Sequence, residues 1–290
     1  MNLLDFNKYQ KQLNNQTFTD YYNRLQLLAR SVFKWNNLPN GISEKWIEKY
    51  LFFEGRCMFF EDPELGFMVT KCTDGGMINF YDEPTLLRPV ATNYKNIQKA
   101  YKNGSECVLI CNNDDKIPTV GTIQQYAYRL ADISRTIDIN INAQKTPVLI
   151  TCNKNQLESL KNVYRQWNGN EPVIYGSKDL EVLASVGVLK TDAPIVFDKL
   201  QIHKHDIWNE VMTFLGINNA NMDKRERLVD DEVQANNQQI EYCGQLMLKA
   251  REEACKQINE IFGTNISVEF RNPGLDDMVQ DAVVSESEVS

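Results

Sequence analysis

Residues 219–236 read NANMDKRERLVDDEVQAN, with Lys224, Arg225 and Arg227 ahead of the acids Asp230, Asp231 and Glu232. Cations so grouped could meet phosphates, and adjacent acids could hold a divalent ion. The span runs from Asn219 through Asp223 to Asn236 and separates two segments of helical periodicity. Most helix–helix connections are shorter, roughly 2–8 residues. A second basic feature is LKTDAPIVFDKL, where Lys190 and Lys199 flank an Asp-Ala-Pro turn and a short apolar strand. Taken alone, both read as solvated charge, the first partly neutralised by its own acids.

Other chemistry has less under it. His203 and His205 are the two histidines, and on a strand they would face one way. No Cys or carboxylate cluster joins them, so a surface pair at a helix start is the simpler reading. DDEV (230–233) and NNDD (112–115) read as solvated loop acids rather than Mg²⁺ ligands. No G-x-x-x-x-G-K-[ST] and no supported nucleophile–base pair occurs. We therefore expect no catalytic residue, metal or cofactor. The seven cysteines (57, 72, 107, 111, 152, 243, 255) contain no C-x-x-C pair and read as buried, reduced thiols.

The elements that must carry these residues follow from composition and periodicity. The 290 residues, 42% hydrophobic and 24% charged, suit one large or two modest globular domains. No apolar run approaches the roughly 20 residues of a membrane span, and MNLLDFNKYQ shows no secretory signal pattern. Net charge is −8, of which −5 lies after Arg271, so residues 1–271 carry only −3.

Phe18, Tyr21, Tyr22, Leu25, Leu28, Ala29 and Val32 predict a helix over 17–35, capped by Thr17 or Thr19. A shorter helix starts near Ser43 and stops at Gly55. The runs CMFF, GFMV, MINFY, RPVA and CVLIC, separated by Gly and Pro, predict the hairpins of a small sheet. Ile123, Tyr126, Leu130, Ile133, Ile137 and Ile141 predict a helix of about 35 Å, closed by Pro147. An α/β insert follows over 148–199: strands VLITC, PVIY and IVF, with helices over 156–167 and 178–185. A second long helix has Leu200, Ile207, Trp208, Val211, Met212 and Leu215 on one side and ends at Gly216. Ile240, Cys243, Met247, Ala250, Ala254, Ile258 and Ile261 mark another, then ISVEF alternates as a strand. The acidic, Ser-rich end is expected to be disordered. These readings amount to a helix-rich α+β protein.

Six blocks in order carry a resemblance: NAQKTPVLI (142–150), GNEPVI (169–174), KTDAPIVFDKL (190–200), WNEVMTFLGI (208–217), KRERLVDDEV (224–233) and REEACKQINE (251–260). With FKWNNLP (33–39), they make residues 18–271 similar to the upper-collar, or head–tail connector (portal), proteins of phi29-like podoviruses.

That resemblance implies a portal fold: N-terminal helices and wing hairpins (1–117), stem helices (118–145 and 200–217) and a clip insert (146–199). It further implies a channel loop (218–237), a wing/crown helix and strand (238–271) and an unmatched acidic tail (272–290). The implied protein is a virion component, a dodecameric ring through which double-stranded DNA is packaged and ejected. Its implied partners are the major capsid protein, the lower collar or tail protein and the packaging ATPase, with no membrane. The implied lumen-facing cations are Lys190, Lys199, Lys224 and Arg225, with Arg227 beside them in the loop. A packaging RNA is not expected, since only Lys8 and Lys11 are basic in MNLLDFNKYQKQ. The competing class is a non-viral ring scaffold without DNA in its lumen.

A chain ending at Arg271 should fold and assemble as the full chain does, because the tail's −5 has no partner charge of its own. Native mass spectrometry of the truncated protein checks this, and loss of assembly with a folded subunit would contradict it.

Overall fold

The computed structural model describes residues 3–90, 99–144, 148–150, 186–188, 194–218 and 230–271. Among these, five helices and nine strands run in chain order: α1 (Leu3–Ala29), β1 (Phe33–Asn36), α2 (Glu44–Glu54), β2 (Arg56–Asp62), β3 (Gly66–Asp74), β4 (Leu86–Val90), β5 (Tyr101–Lys102), β6 (Cys107–Cys111), α3 (Val120–Gln144), β7 (Val148–Ile150), β8 (Val186–Val188), α4 (Phe197–Leu215), α5 (Asp230–Phe262) and β9 (Ser267–Phe270). The chain divides into two compact units, one of residues 1–132 and 205–290, the other of 133–204.

The first unit is built on a five-stranded antiparallel sheet, in the order β5-β4-β3-β2-β6. β2 lies between β3 and β6, pairing Met58 with Thr70 on one side and with Leu109 on the other. Strand alternation sends Met58 and Phe60 to one face, where they bury with Leu87, Tyr101 and Cys107. Phe59 points the other way, to rings of Phe67 and Phe262 at 5.5 and 5.3 Å. β2 is thus buried on both faces, which is why CMFF reads as an unbroken apolar run.

β1 and β9 form a separate antiparallel pair, Trp35 opposite Val268. Arg271 closes this pair, its N–H donating to Val32 O (2.8 Å) and its guanidinium to Ser31 O and to Glu44 Oε1 (2.6 Å).

Close backbone approach demands glycine at two places. Gly55 ends α2 with φ +74°, and a Cβ there would stand 2.1 Å from Lys116 O. Gly216 ends α4 against Gly244 of α5. A Cβ on Gly216 would lie 2.7 Å from Gly244 Cα, and one on Gly244 would lie 2.5 Å from Phe270 Cζ.

One ion pair ties the first unit together. Arg251 of α5 and Glu48 of α2 are 2% and 3% exposed. Arg251 donates through Nε and Nη2 to the two Glu48 oxygens, both at 2.9 Å. Nη2 also donates to Asn112 Oδ1, and Nη1 to Asn112 O and Met247 O. Trp35 Nε1 gives Glu48 a further bond (2.9 Å), and the Phe33 ring lies 4.1 Å from the guanidinium carbon. Asn112 Nδ2 in turn donates to Ile117 O and Thr119 Oγ1, just ahead of α3. Strand β1, helices α2 and α5 and the end of β6 therefore meet at one guanidinium, and Asn112 links it to the start of α3.

In the second unit β7 pairs antiparallel with β8. Asn140 near the end of α3 holds the approach to α4, Nδ2 donating to Pro194 O (2.9 Å) and Oδ1 accepting from Val196 N. The insert's expected elements over 151–185 lie outside the described residues.

Several boundaries differ from the sequence reading. α1 starts at Leu3 rather than at residue 17, and the Thr17 and Thr19 hydroxyls donate back to Leu13 O and Asn15 O instead of capping. It ends at Ala29, because Phe33 and Trp35 alternate into the core as a strand. The IVF run is no strand at its end: α4 begins at Phe197. α5 begins at Asp230, eight residues earlier than read, where three acids suit a helix N-terminus. MINFY (77–81) is an exposed turn, because the Asn79 side chain captures the backbone N–H groups of Tyr81 and Glu83.

Replacing either member of the buried pair alone, by Arg251→Ala or Glu48→Ala, should cost about 3–5 kcal/mol. The double replacement Arg251→Met with Glu48→Leu should cost less than the two single losses summed. Denaturant unfolding of the purified chains measures all three.

Candidate functional site

The feature nearest to the implied stem is the pair of helices α3 and α4. Both owe their length to uninterrupted three-and-four apolar spacing. Within the first unit, Ile123, Ala127 and Leu130 of α3 are fully buried, as is Val211 of α4. Glu210 projects from α4 to accept a hydrogen bond from Tyr126 Oη (2.9 Å) and to face Arg129 Nη1 at 3.4 Å. Burial, first, and then the hydrogen bond and charge of Glu210 push the Tyr126 hydroxyl up to about 12. On α1, Phe18 packs tilted against Tyr128, ring centroids 4.3 Å apart. Further along, apolar side chains remain in solvent: Ile139 and Ile141 on α3, and Ile195, Phe197 and Ile202 at the start of α4.

Of the cations singled out in the sequence, Lys199 lies in the first turn of α4, exposed, one residue after Asp198. Lys190, Lys224, Arg225 and Arg227 lie outside the described residues, as do Asn219 and Asp223. Asp230, Asp231, Glu232 and Asn236 are in the first turns of α5, on a helix rather than in a loop. His203 and His205 stand two apart on α4, a spacing that points to different sides of a helix, so the strand-based pairing fails.

Burial holds the thiols protonated. Cys57, Cys72, Cys107, Cys111 and Cys255 all titrate above the ordinary thiol value, Cys72 at about 11 and Cys107 and Cys255 at about 12. Desolvation is the leading cause in each, and such thiols are poor nucleophiles at neutral pH. No group of three metal-ligating side chains occurs among the described residues. None of the described helices is long and apolar enough to cross a membrane.

Sequence reasoning missed Arg251 and Glu48 as a pair, and it missed the exposed turn at 77–83. The first had a signal. Each charge sits within the apolar stripe of its own helix, Glu48 beside Ile47 and Leu51, Arg251 beside Met247, Ala250 and Ala254.

The fold, long helices and an antiparallel sheet with a smaller unit of residues 133–204 interrupting the larger one in the chain, is similar to that of phage portal subunits. It is similar to a chain in the portal and tail of native bacteriophage P68, with a TM-score of 0.54 and 16% identity, covering 100% of this chain and 98% of that one. An HK97 family phage portal protein from Corynebacterium diphtheriae matches with a TM-score of 0.44 and 11% identity, over 89% of this chain and 93% of that one. A chain of the native gene transfer agent virion matches at 0.46 and 8%, over 96% and 88%. The chain belongs to the Phage Connector (GP10) family, whose model matches residues 3–273. It is accordingly a viral portal, or head–tail connector, protein, which removes the non-viral scaffold reading.

Tyr126 supplies a pH-dependent readout of the α3–α4 contact. Its folded pKa is raised from 10.0 to about 12, so its contribution is whole below pH 10 and is lost as pH climbs towards about 12. The thiols add their own alkaline loss from pH 9 upward. Tyr126→Phe should therefore remove part of the decline between pH 10 and 12 and leave the rest. Thermal unfolding of both chains across that range measures the difference.

Proposed function

We propose that this connector assembles as a closed ring of twelve copies at one vertex of the virion and passes double-stranded DNA during packaging and ejection. One observation carries the ring: α3 and α4 leave Ile139, Ile141, Ile195, Phe197 and Ile202 in solvent within a single chain. A neighbouring copy is the cover that serves every chain alike. The capsid protein, the packaging ATPase and the tail are the partners such a ring would meet. No enzymatic step is assigned to it. The ring is passive, and the motor would supply the work.

In this reading α3 and α4 form the stem, and the connection from residue 218 to the start of α5 reaches into the channel. Lys190, Lys199, Lys224, Arg225 and Arg227 become circles of identical cations. Sparse circles fit a conduit, because each phosphate neutralised adds affinity and salt dependence, and a tight grip would stop sliding. The net charge of −8 is compatible with that role, since five of its charges lie after Arg271. Screening over roughly 8 Å at physiological salt keeps each exposed contact weak.

Changing Lys224, Arg225 and Arg227 together to Ala should leave folding and ring yield unchanged, since the three precede α5. Particles carrying that portal should retain genomes shorter than full length. Genome length in particles, beside ring yield by native mass spectrometry, tests both parts. Full-length retention would remove the channel role, and wild-type chain found only as monomer would remove the ring.

A further inference from the structure

The β3–β4 turn is built to be touched. Met77, Ile78, Phe80 and Tyr81 are 62%, 63%, 105% and 84% exposed, the densest run of solvent-facing apolar side chains among the described residues. The turn is nevertheless firmly made. Asn79 Oδ1 accepts from the N–H groups of Tyr81 (2.8 Å) and Glu83 (3.0 Å), and Asn79 Nδ2 donates to Glu83 Oε2 (3.0 Å). Asn79 N donates to Glu83 O, Thr85 N donates to Met77 O, and Ile78 bridges Pro84. A floppy loop would lose entropy on docking, whereas this one presents its side chains preorganised. Asp82 and Glu83 stand beside them with no ion-pair partner among the described residues. The turn is apolar with an acidic flank, the wrong charge for DNA and the right one for a basic aromatic surface.

The same chain carries such a surface. On the outer side of α2, Trp46 is 44% exposed, with the Tyr50 ring 6.4 Å away. Lys49 and Lys45 place their ammonium groups 4.7 and 5.7 Å from the Trp46 ring. Arg30 joins them, its Nη2 donating to Lys45 O (3.3 Å). None of these three cations is ion-paired among the described residues. Leu27, 66% exposed, lies one turn before Arg30 on α1.

We infer that the turn at 77–83 of one copy docks on the Lys45–Trp46–Lys49 face of a neighbouring copy. Phe80 and Tyr81 meet Trp46, and Asp82 and Glu83 meet Lys45, Lys49 and Arg30. The fully exposed Phe80 rules out this contact within one chain. Knob and receptor are different patches, so every copy offers both, which is the head-to-tail interface that closes a ring. Aromatic anchors carry the affinity of such contacts, and flanking charges set register and salt dependence. The inference rests on the ring reading above and adds the residues that join its subunits.

The test is a charge exchange in the full-length protein. Asp82→Lys with Glu83→Lys should raise the concentration needed for ring formation by about tenfold or more. Lys45→Glu with Lys49→Glu should do the same, and all four changes together should restore assembly towards the wild-type level. Mass photometry over a concentration series reads the effect, and an unchanged thermal unfolding midpoint shows that each variant is folded. Rescue by the four-fold exchange supports this contact. If wild type forms rings and either pair of changes assembles as well as wild type, or the exchange fails to restore assembly, this contact is overturned while the ring stands. Wild type found only as monomer overturns both.

Discussion

The first unit depends on one guanidinium having every N–H group occupied. An arginine has five donors, and the side chain of Arg251 spends them on Glu48, Asn112 and Met247 while its face lies against Phe33. Taking that charge out of water is costly, and only this complete set of partners makes the site tolerable. The partners come from β1, α2, the end of β6 and α5, so the cation can be satisfied only when all four are in place. Apolar packing supplies the bulk attraction on both faces of β2, but it accepts many arrangements. The buried pair accepts one.

What the sequence shows best is whatever depends on near neighbours. The α3 helix follows from apolar spacing within a single segment, and β2 from a run that is apolar throughout. Ends were harder to read. Thr17 looks like a cap because its hydroxyl suits one, yet the same hydroxyl is satisfied by Leu13 O in a helix that continues. MINFY looks like a strand, and only the Asn79 side chain, by competing for backbone N–H groups, makes it a turn.

Partnerships across the chain were the least legible. Arg251 and Glu48 are 203 residues apart, so although each sits in the apolar stripe of its own helix, nothing local names the other as its partner. For the proposed stem and channel cations, function would be collective. Lys199 on one chain is an exposed lysine and nothing more, and only repetition around an axis would give it a task. The family resemblance therefore reached further than local physics, because it imported the assembly that a single chain does not display.

The contact among Gly216, Gly244 and Phe270 has a mechanical side. Where two helices meet through side chains, rotamers yield and the joint has some give. Here the main chain of Gly216 at the end of α4 lies directly on that of Gly244 in α5, with the Phe270 ring wedged beside them. The connection that leaves α4 thus starts from a hard seat with little compliance. A displacement of the end of α4 would reach α5 and, through the Phe270 ring, the β1–β9 pair as a movement of whole elements.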